Sequence, residues 1–353
     1  MENQDILFEV RGQIGLITLN RPKALNALNA GMCLGVRLKL GQWASDEGVK
    51  AVVVRGAGGK AFCAGGDVVS LYKSGMAYRD GDKTSLGWRR FFTEEYRMNV
   101  AIKEFPKPYI AILDGITMGG GVGISVHGGY RIATERTLLA MPETGLGLIP
   151  EVGGGWFLPR LEDEMGMYLA LTGDRLGAAE TCDLGITQSF CPSGQTGDLI
   201  AALAKNADDV GGVIARHSEQ AEASKLLPHK AAIQTFFSGG SVEDIVAALG
   251  GGRSDWAKGW HKRLMKKSPT SMKLTYQQMR KGKVIQNFRD NMKMEYRIVN
   301  RIIEGHDFYE GVRAILLDKD NHPRWRPASL EEVSKAAVAA HFEDLGADEL
   351  RFD

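Results

Sequence analysis

Apolar positions give the chain two textures. From residue 6 to about 190, short apolar runs alternate with helical spacings. ILFEV and GLITLN flank the turn RGQ and predict two short strands in a hairpin. Leu28, Met32, Val36, Leu40 and Trp43 recur at helical spacing and predict a helix reaching about residue 45. VKAVVVRGAG and PYIAILDG are continuous apolar runs, as a strand covered on both faces requires, and YRIATE and LLAMP are strand-like. FFTEEYRMNVAIKEFP predicts an amphipathic helix stopped by Pro106. GGGVGISVHGG predicts a short helix opened by glycine. GGGWFLPRL and EDEMGMYLALTG predict further helices, and AAETCDLG predicts one that ends at a glycine. This alternation implies α/β layers joined by crossover connections. Beyond about residue 195 the strand signal fades. GDLIAALAKNAD, SVEDIVAALG, DWAKGWHKRLMKK, PTSMKLTYQQMRKG and VIQNFRDNMKMEYRIVNRII all predict helices. The expected organisation is an α/β core over residues 1–195 and a mainly helical region over 196–353.

Glycine content changes this picture. The 353 residues hold 44 glycines, well above common usage, and they cluster in RGAGGKAFCAGGD, MGGGVG, HGG, EVGGGW and LGGGR. Such clusters let backbone N–H groups approach a ligand or another backbone closely. Charge adds little: Lys+Arg (44) and Asp+Glu (43) balance, so no global field draws the chain to nucleic acid or a membrane surface. No run of about 18 apolar residues occurs, and no membrane span is expected. The start MENQDILFEV is acidic and matches neither a signal nor a transit pattern, and the end RFD matches no targeting signal. A cytoplasmic location is therefore expected. Cys33, Cys63, Cys182 and Cys191 are scattered, which suits a reducing compartment and predicts no metal site. Cys63 reads as a small buried thiol.

Two glycine loops each follow an apolar run: KAFCAGGD (60–67) and GITMGGGVG (115–123). In open α/β folds ligands bind beyond the carboxyl ends of the strands. Two N–H groups meeting at one oxygen there make an oxyanion hole, worth about 3–4 kcal/mol per donor. Tight turns with no ligand explain the same residues equally well. Phosphate loops do not: GAGGKA lacks the P-loop spacing and hydroxyl, and GGGVGISV lacks the dinucleotide fingerprint. No H-E-x-x-H or G-x-S-x-G is present. The seven histidines are scattered, and His127 reads as structural. The stretch MPETGLGLIPEVGGG (141–155) places Glu143 and Glu151 each directly after a proline. They are either turn carboxylates capping the GGGWFL helix or a catalytic pair.

NRPKALNAL, KAFCAGGD, PYIAILDGITMGGGVGIS and MPETGLGLIPEVGGGWFLPRL together resemble the enoyl-CoA hydratase/isomerase (crotonase) superfamily. FFTEEY, SPTSMKLT, MEYRIVNRIIEGHDFYEGVRAILLDKD and PRWRPASLEEV resemble, more narrowly, its 3-hydroxyisobutyryl-CoA hydrolase branch. The resemblance runs from about residue 6 to 350. It implies a spiral of ββα repeats followed by a helical C-terminal region completing or capping an acyl-CoA site. It also implies that the amides of Gly66 and Gly120, beside Gly119, hold the thioester oxygen. Ala64, Gly65, Gly66 and Asp67 would lie against the adenine end of CoA. A hydratase of this superfamily needs two glutamates, and the first position is Gly123 here. The hydrolase branch implies Glu143 with an acid at position 151, and Glu95 on the substrate's 3-hydroxyl. Aspartate is usual where this chain has Glu151, one methylene longer. The implied reaction hydrolyses a short branched 3-hydroxyacyl-CoA, with no metal and no cofactor beyond the CoA of the substrate. Homo-oligomers are common in the superfamily. KGWHKRLMKK (258–267) reads as a solvated helix face rather than a phosphate contact.

Overall fold

The structure, a computed structural model, describes residues 4–352; the first three residues of the acidic start and the last of RFD lie outside it. Among the described residues nine strands form: β1 (Ile6–Arg11), β2 (Ile14–Leu19), β3 (Ala51–Gly56), β4 (Ala61–Cys63), β5 (Tyr109–Leu113), β6 (Ile116–Met118), β7 (Tyr130–Ala133), β8 (Leu138–Ala140) and β9 (Ser189–Phe190). β1 and β2 make the expected antiparallel hairpin. β3, β5, β7 and β9 then add in parallel, giving a six-stranded sheet of order β1-β2-β3-β5-β7-β9. β5 is buried at every position and β3 at its first four, as their continuous apolar runs announced, and β2 is buried throughout as well. β4, β6 and β8 form a second, parallel, three-stranded sheet.

The strands after the hairpin come in consecutive pairs: β3 with β4, β5 with β6, β7 with β8. Each pair sends one strand to each sheet, and a helix follows β4 and β6. This is the expected ββα spiral. β4 and β6 have three residues each, too few to show a period in sequence. The predicted helix around Met32 spans Ala30–Ser45, with Met32, Val36, Leu40 and Trp43 buried. Asn29 caps it, accepting from Met32 N at 2.9 Å, so Leu28 falls outside the helix.

The chain forms two compact units that interleave in sequence. The first comprises the chain through Asp67, Glu94–Ala140 and Arg175–Leu227; the second comprises Val68–Thr93, Met141–Asp174 and the chain from Pro228. The sequential division expected at 195/196 therefore differs from the division by contact, and apolar burial explains why. Leu199, Ile200 and Leu203 of helix Thr196–Lys205, with Val213 and Ile214 of Val210–Arg216, pack on Ile14, Leu16, Val53, Ile110 and Ile132 of the large sheet. Burying such side chains is worth roughly 1.5–3 kcal/mol each, which ties these helices to the first unit.

The second unit is helical. Helix Met165–Thr172 is buried at all eight positions. Its Tyr168 ring meets Phe237 and Trp260 edge-on, with centroids 5.2 and 5.3 Å apart. The long helix Pro269–Val284 packs against it, and Phe288–Glu304 packs against Pro269–Val284 in turn. Ser268 caps the first, accepting from Ser271 N at 3.0 Å, and Pro269 sits at its first position. Among the described residues no strand follows Phe190, and no helix is long and apolar enough to cross a membrane.

Candidate active site

The first unit carries a pair of backbone amides. β4 and β6 pair in parallel, so the loops after Cys63 and Met118 leave the same edge of the small sheet. The first loop is stitched to residues 25–28. Ala64 N donates to Leu25 O (3.0 Å), Leu28 N to Gly65 O (2.8 Å) and Asp67 N to Leu28 O (2.8 Å). The receiving turn is itself fixed. Leu25 and Asn26 are left-handed (φ 50° and 58°), and the buried Asn26 side chain donates to Ala57 O and Ala61 O at 2.9 Å each. The Asp67 carboxylate pairs with Arg21 at 2.9 Å and braces the loop. This stitching uses the amides of Ala64 and Asp67 and leaves that of Gly66 without an acceptor among the described residues.

Gly120 opens helix Gly120–Val126, so its N–H has no partner within the helix. Gly119 before it has φ 47°, a value glycine reaches without cost. The two unused amides are neighbours. A methyl group added at Gly120 would lie 3.3 Å from Gly66 N and would strike Glu95 Oε1. Glu95 belongs to helix Gly87–Lys103 and is 1% exposed. Glu94 beside it pairs instead with Arg37 (3.3 Å) and Arg97 (3.7 Å). Glu95 is therefore the inward carboxylate of FFTEEY, buried against the amide pair, and not an exposed helix charge. His127 is buried and caps the Gly120–Val126 helix, as expected for a structural histidine.

The second unit carries the carboxylates. Pro142 leads into a single turn, Glu143–Leu146, closed by Leu148 N on Glu143 O at 3.0 Å. Glu143 is 5% exposed, and its Oε2 has no hydrogen-bond partner among the described residues. Burial pushes its carboxyl up to about 8, against its own backbone amide and the charge of Lys267. The turn is held from below. Thr144 Oγ1 donates to Leu171 O (3.1 Å), Ser268 N donates to Thr144 O (3.2 Å), and Ser268 Oγ donates to Asp307 Oδ2 (2.6 Å). Glu151 is 6% exposed and stands at the head of a second turn, where Gly154 N reaches Glu151 O at 2.9 Å.

Lys267 corrects one expectation. KGWHKRLMKK was read as one solvated face, and Lys258, Lys262 and Lys266 are indeed exposed. The helix, however, ends at Leu264, and Lys267 lies in the turn before Ser268. A methyl group added at Gly145 would sit 3.3 Å from Lys267 Nζ, so the ammonium lies over the Glu143 turn. Burial pulls Lys267 down to about 8, against the charge of Glu143. The sequence signal was present: a lysine directly before the capping run SPTS cannot stay on the preceding helix face.

Thus Ala64, Gly65, Gly66, Asp67, Gly119, Gly120 and Glu95 gather in the first unit, and Glu143 and Glu151 lie buried in the second. Residues 14–342 match the enoyl-CoA hydratase/isomerase family, and the chain belongs to that family. Within it, the chain is similar to the 3-hydroxyisobutyryl-CoA hydrolase, mitochondrial, of Rattus norvegicus: 43% identical, covering 99% of this chain and 92% of that one. The protein of the same name from Homo sapiens is 40% identical, covering 99% and 91%. Among solved structures, a carnitinyl-CoA dehydratase from Mycobacterium thermoresistibile superposes with a TM-score of 0.92 at 38% identity, covering 99% of each chain.

Proposed function

We propose that this chain is an acyl-CoA thioester hydrolase that converts 3-hydroxyisobutyryl-CoA and water to 3-hydroxyisobutyrate and CoA, a step of valine degradation. The observation that carries the chemistry is the pair of unused amides at Gly66 and Gly120 beside a buried carboxylate. The hydrolases named above supply the acyl group. In this proposal the two amides polarise the thioester carbonyl and hold the oxyanion that forms on it. Glu143, ionised, is the reactive carboxylate, and Glu151 places the water. The water oxygen ends on the acyl carbon, the C–S bond breaks and sulfur leaves with a proton. A carboxylate pushed up to about 8 is a stronger base than an ordinary one and suits work near neutral pH. Glu95 accepts the 3-hydroxyl, so an acyl chain without that hydroxyl forgoes this bond and is turned over more slowly. Ala64, Gly65, Asp67 and Gly119 line the CoA side.

No cofactor is needed beyond the CoA that the substrate carries, so activity should survive chelation and desalting. A homo-oligomer and a cytoplasmic location complete the proposal. Four free cysteines suit a reducing compartment, whereas the relatives' names place those proteins in mitochondria. Light scattering and cell fractionation test these two points.

The principal test is a thiol-trapping assay over a panel of acyl-CoAs. Turnover should be fastest with the branched 3-hydroxyacyl thioester; binding without turnover across the panel overturns the proposal. The name of the solved dehydratase favours a second reading, hydration or dehydration at a double bond. Position 123, a glycine inside helix Gly120–Val126, offers no carboxylate for it. Loss of the enone absorbance of crotonyl-CoA would establish that reading instead.

A further inference from the structure

Glu295 is fully buried, yet it has no place in the chemistry above. It lies on helix Phe288–Glu304 and faces the segment Pro150–Gly155. Its Oε2 accepts from Gly153 N at 2.7 Å. Its Oε1 accepts from Gly155 N (2.7 Å), Asn291 Nδ2 (2.9 Å) and Gln278 Nε2 (3.2 Å). Gln278 Nε2 also donates to Pro150 O at 2.8 Å. The segment is thus held at Pro150, Gly153 and Gly155, and Glu151 and Val152 arch between those anchors. The arch is not one the chain adopts unaided. Val152 has φ 53°, a left-handed backbone that β-branched residues avoid, and it is fully buried. The approach is close as well: a methyl group on Gly155 would come within 2.9 Å of both Asn291 Oδ1 and Glu295 Oε1. Among the described residues, every donor to Glu295 is neutral. Burial pushes its carboxyl up to about 7 while those four hydrogen bonds oppose it. A buried carboxylate held only by neutral donors is a costly way to pack a helix, which argues that its bonds to the arch are what it is kept for.

We propose that Glu295 is a positioning residue: through the amides of Gly153 and Gly155 it holds the arch that carries Glu151, and so sets where the Glu151 carboxylate stands. This rests on Glu151 acting in the hydrolysis proposed above. The clamp also gives a physical setting for the longer acid at 151, since a fixed arch decides how far a side chain must reach.

Glu295→Gln tests it on the full-length enzyme. A glutamine turns one oxygen into an N–H donor and sets it against amides that also donate. Expected are a fall in kcat of about 10–100-fold, the size of a misplacement of about 1 Å, and a KM within about twofold. Glu295→Asp, which keeps the charge, should recover part of the loss. In a Glu151→Ala background, Glu295→Gln should cost nothing further, because the two act through one group; an equal loss in both backgrounds overturns the proposal. Hydrogen–deuterium exchange gives a readout independent of turnover. Peptides covering 148–158 should exchange faster in Glu295→Gln while the rest of the chain is unchanged. Unchanged exchange there, or a rise along the whole chain, overturns the proposal. Should Glu295→Gln not fold, Gln278→Met removes the Pro150 anchor and one donor to Glu295 while leaving both glycine amides on the carboxylate, and the same local rise is expected. If the wild type releases CoA from no thioester, the hydrolase proposal fails, while the exchange result still decides whether Glu295 holds the arch.

Discussion

The amide half and the carboxylate half solve the same problem with different materials. In the first unit the proposed chemistry lies in two backbone N–H groups, Gly66 and Gly120, which cannot titrate. Gly66 is fixed by the backbone bonds between residues 64–67 and 25–28, and Gly120 by its place at the head of helix Gly120–Val126. In the second unit the proposed chemistry lies in side chains buried to 5% and 6% exposure, and burial pushes the Glu143 carboxyl up to about 8. Those groups are fixed by other side chains: Thr144, Ser268, Gln278 and Glu295. Backbone donors are thus set by local geometry and are blind to pH, whereas buried carboxylates depend on distant packing and on the charge of Lys267.

That contrast can be broken at several points. The largest effect is expected from Glu143→Gln, which removes the reactive carboxylate: kcat falls by about 10³-fold in the thiol-trapping assay, while CoA affinity by calorimetry stays within about twofold of wild type. Retention of most of the activity would remove Glu143 from the mechanism. Next comes Gly120→Ala, whose methyl group strikes Glu95 and crowds the Gly66 amide. A loss of about 10²-fold is expected with the pH–rate profile unmoved, because no titrating group on the carboxylate side is touched. A shifted profile would join the two halves electrostatically and blur the contrast. Glu151→Asp shortens the acid by one methylene on a held arch and should cost roughly tenfold, less than Glu151→Ala. Equal losses in the two would mean that the carboxylate itself does nothing.

Smaller effects sharpen the pH side. The acid limb of the rate profile should lie near 8, where Glu143 loses its proton. Lys267→Met removes a charge that favours the ionised form, so the limb should move to higher pH and the rate at neutral pH fall by up to about tenfold. Stability follows the opposite course. The ordinary value for this carboxyl is 4.5, and folding raises it to about 8. The folded state holds the extra proton between those values, and stability is lost as pH rises through 8. Glu143→Gln should therefore melt about 2–4 °C above the wild type at pH 9, with little difference at pH 4.

Much of the amide half was legible in the sequence. The hairpin, the buried strands β3 and β5 and the glycine loops follow from apolar runs and clustered glycine, which are local signals. Less of the carboxylate half was legible. Glu143 and Glu151 showed themselves through their prolines, but Lys267 was read onto a helix face because the end of that helix at Leu264 was missed. Glu295 left a signal that went unread. With Asn291 it falls at i, i+4 on the buried stripe of Phe288, Met292, Val299 and Ile302. Two polar residues on an apolar stripe have to find buried partners, and those partners lie on the glycine arch about 140 residues earlier.

By itself, then, the sequence determined the alternation of strands and helices, the helical C-terminal texture, the two glycine loops and the identity of the acids. All of these depend on residue type and spacing within a few turns of chain. Only the tertiary structure decided which amides go unused, which glutamate of the pair 94 and 95 turns inward, how the compact units draw their segments, and that Lys267 and Glu295 attend the carboxylates. Those outcomes depend on burial and on hydrogen bonds between segments far apart in sequence, and no local pattern encodes the distance between them.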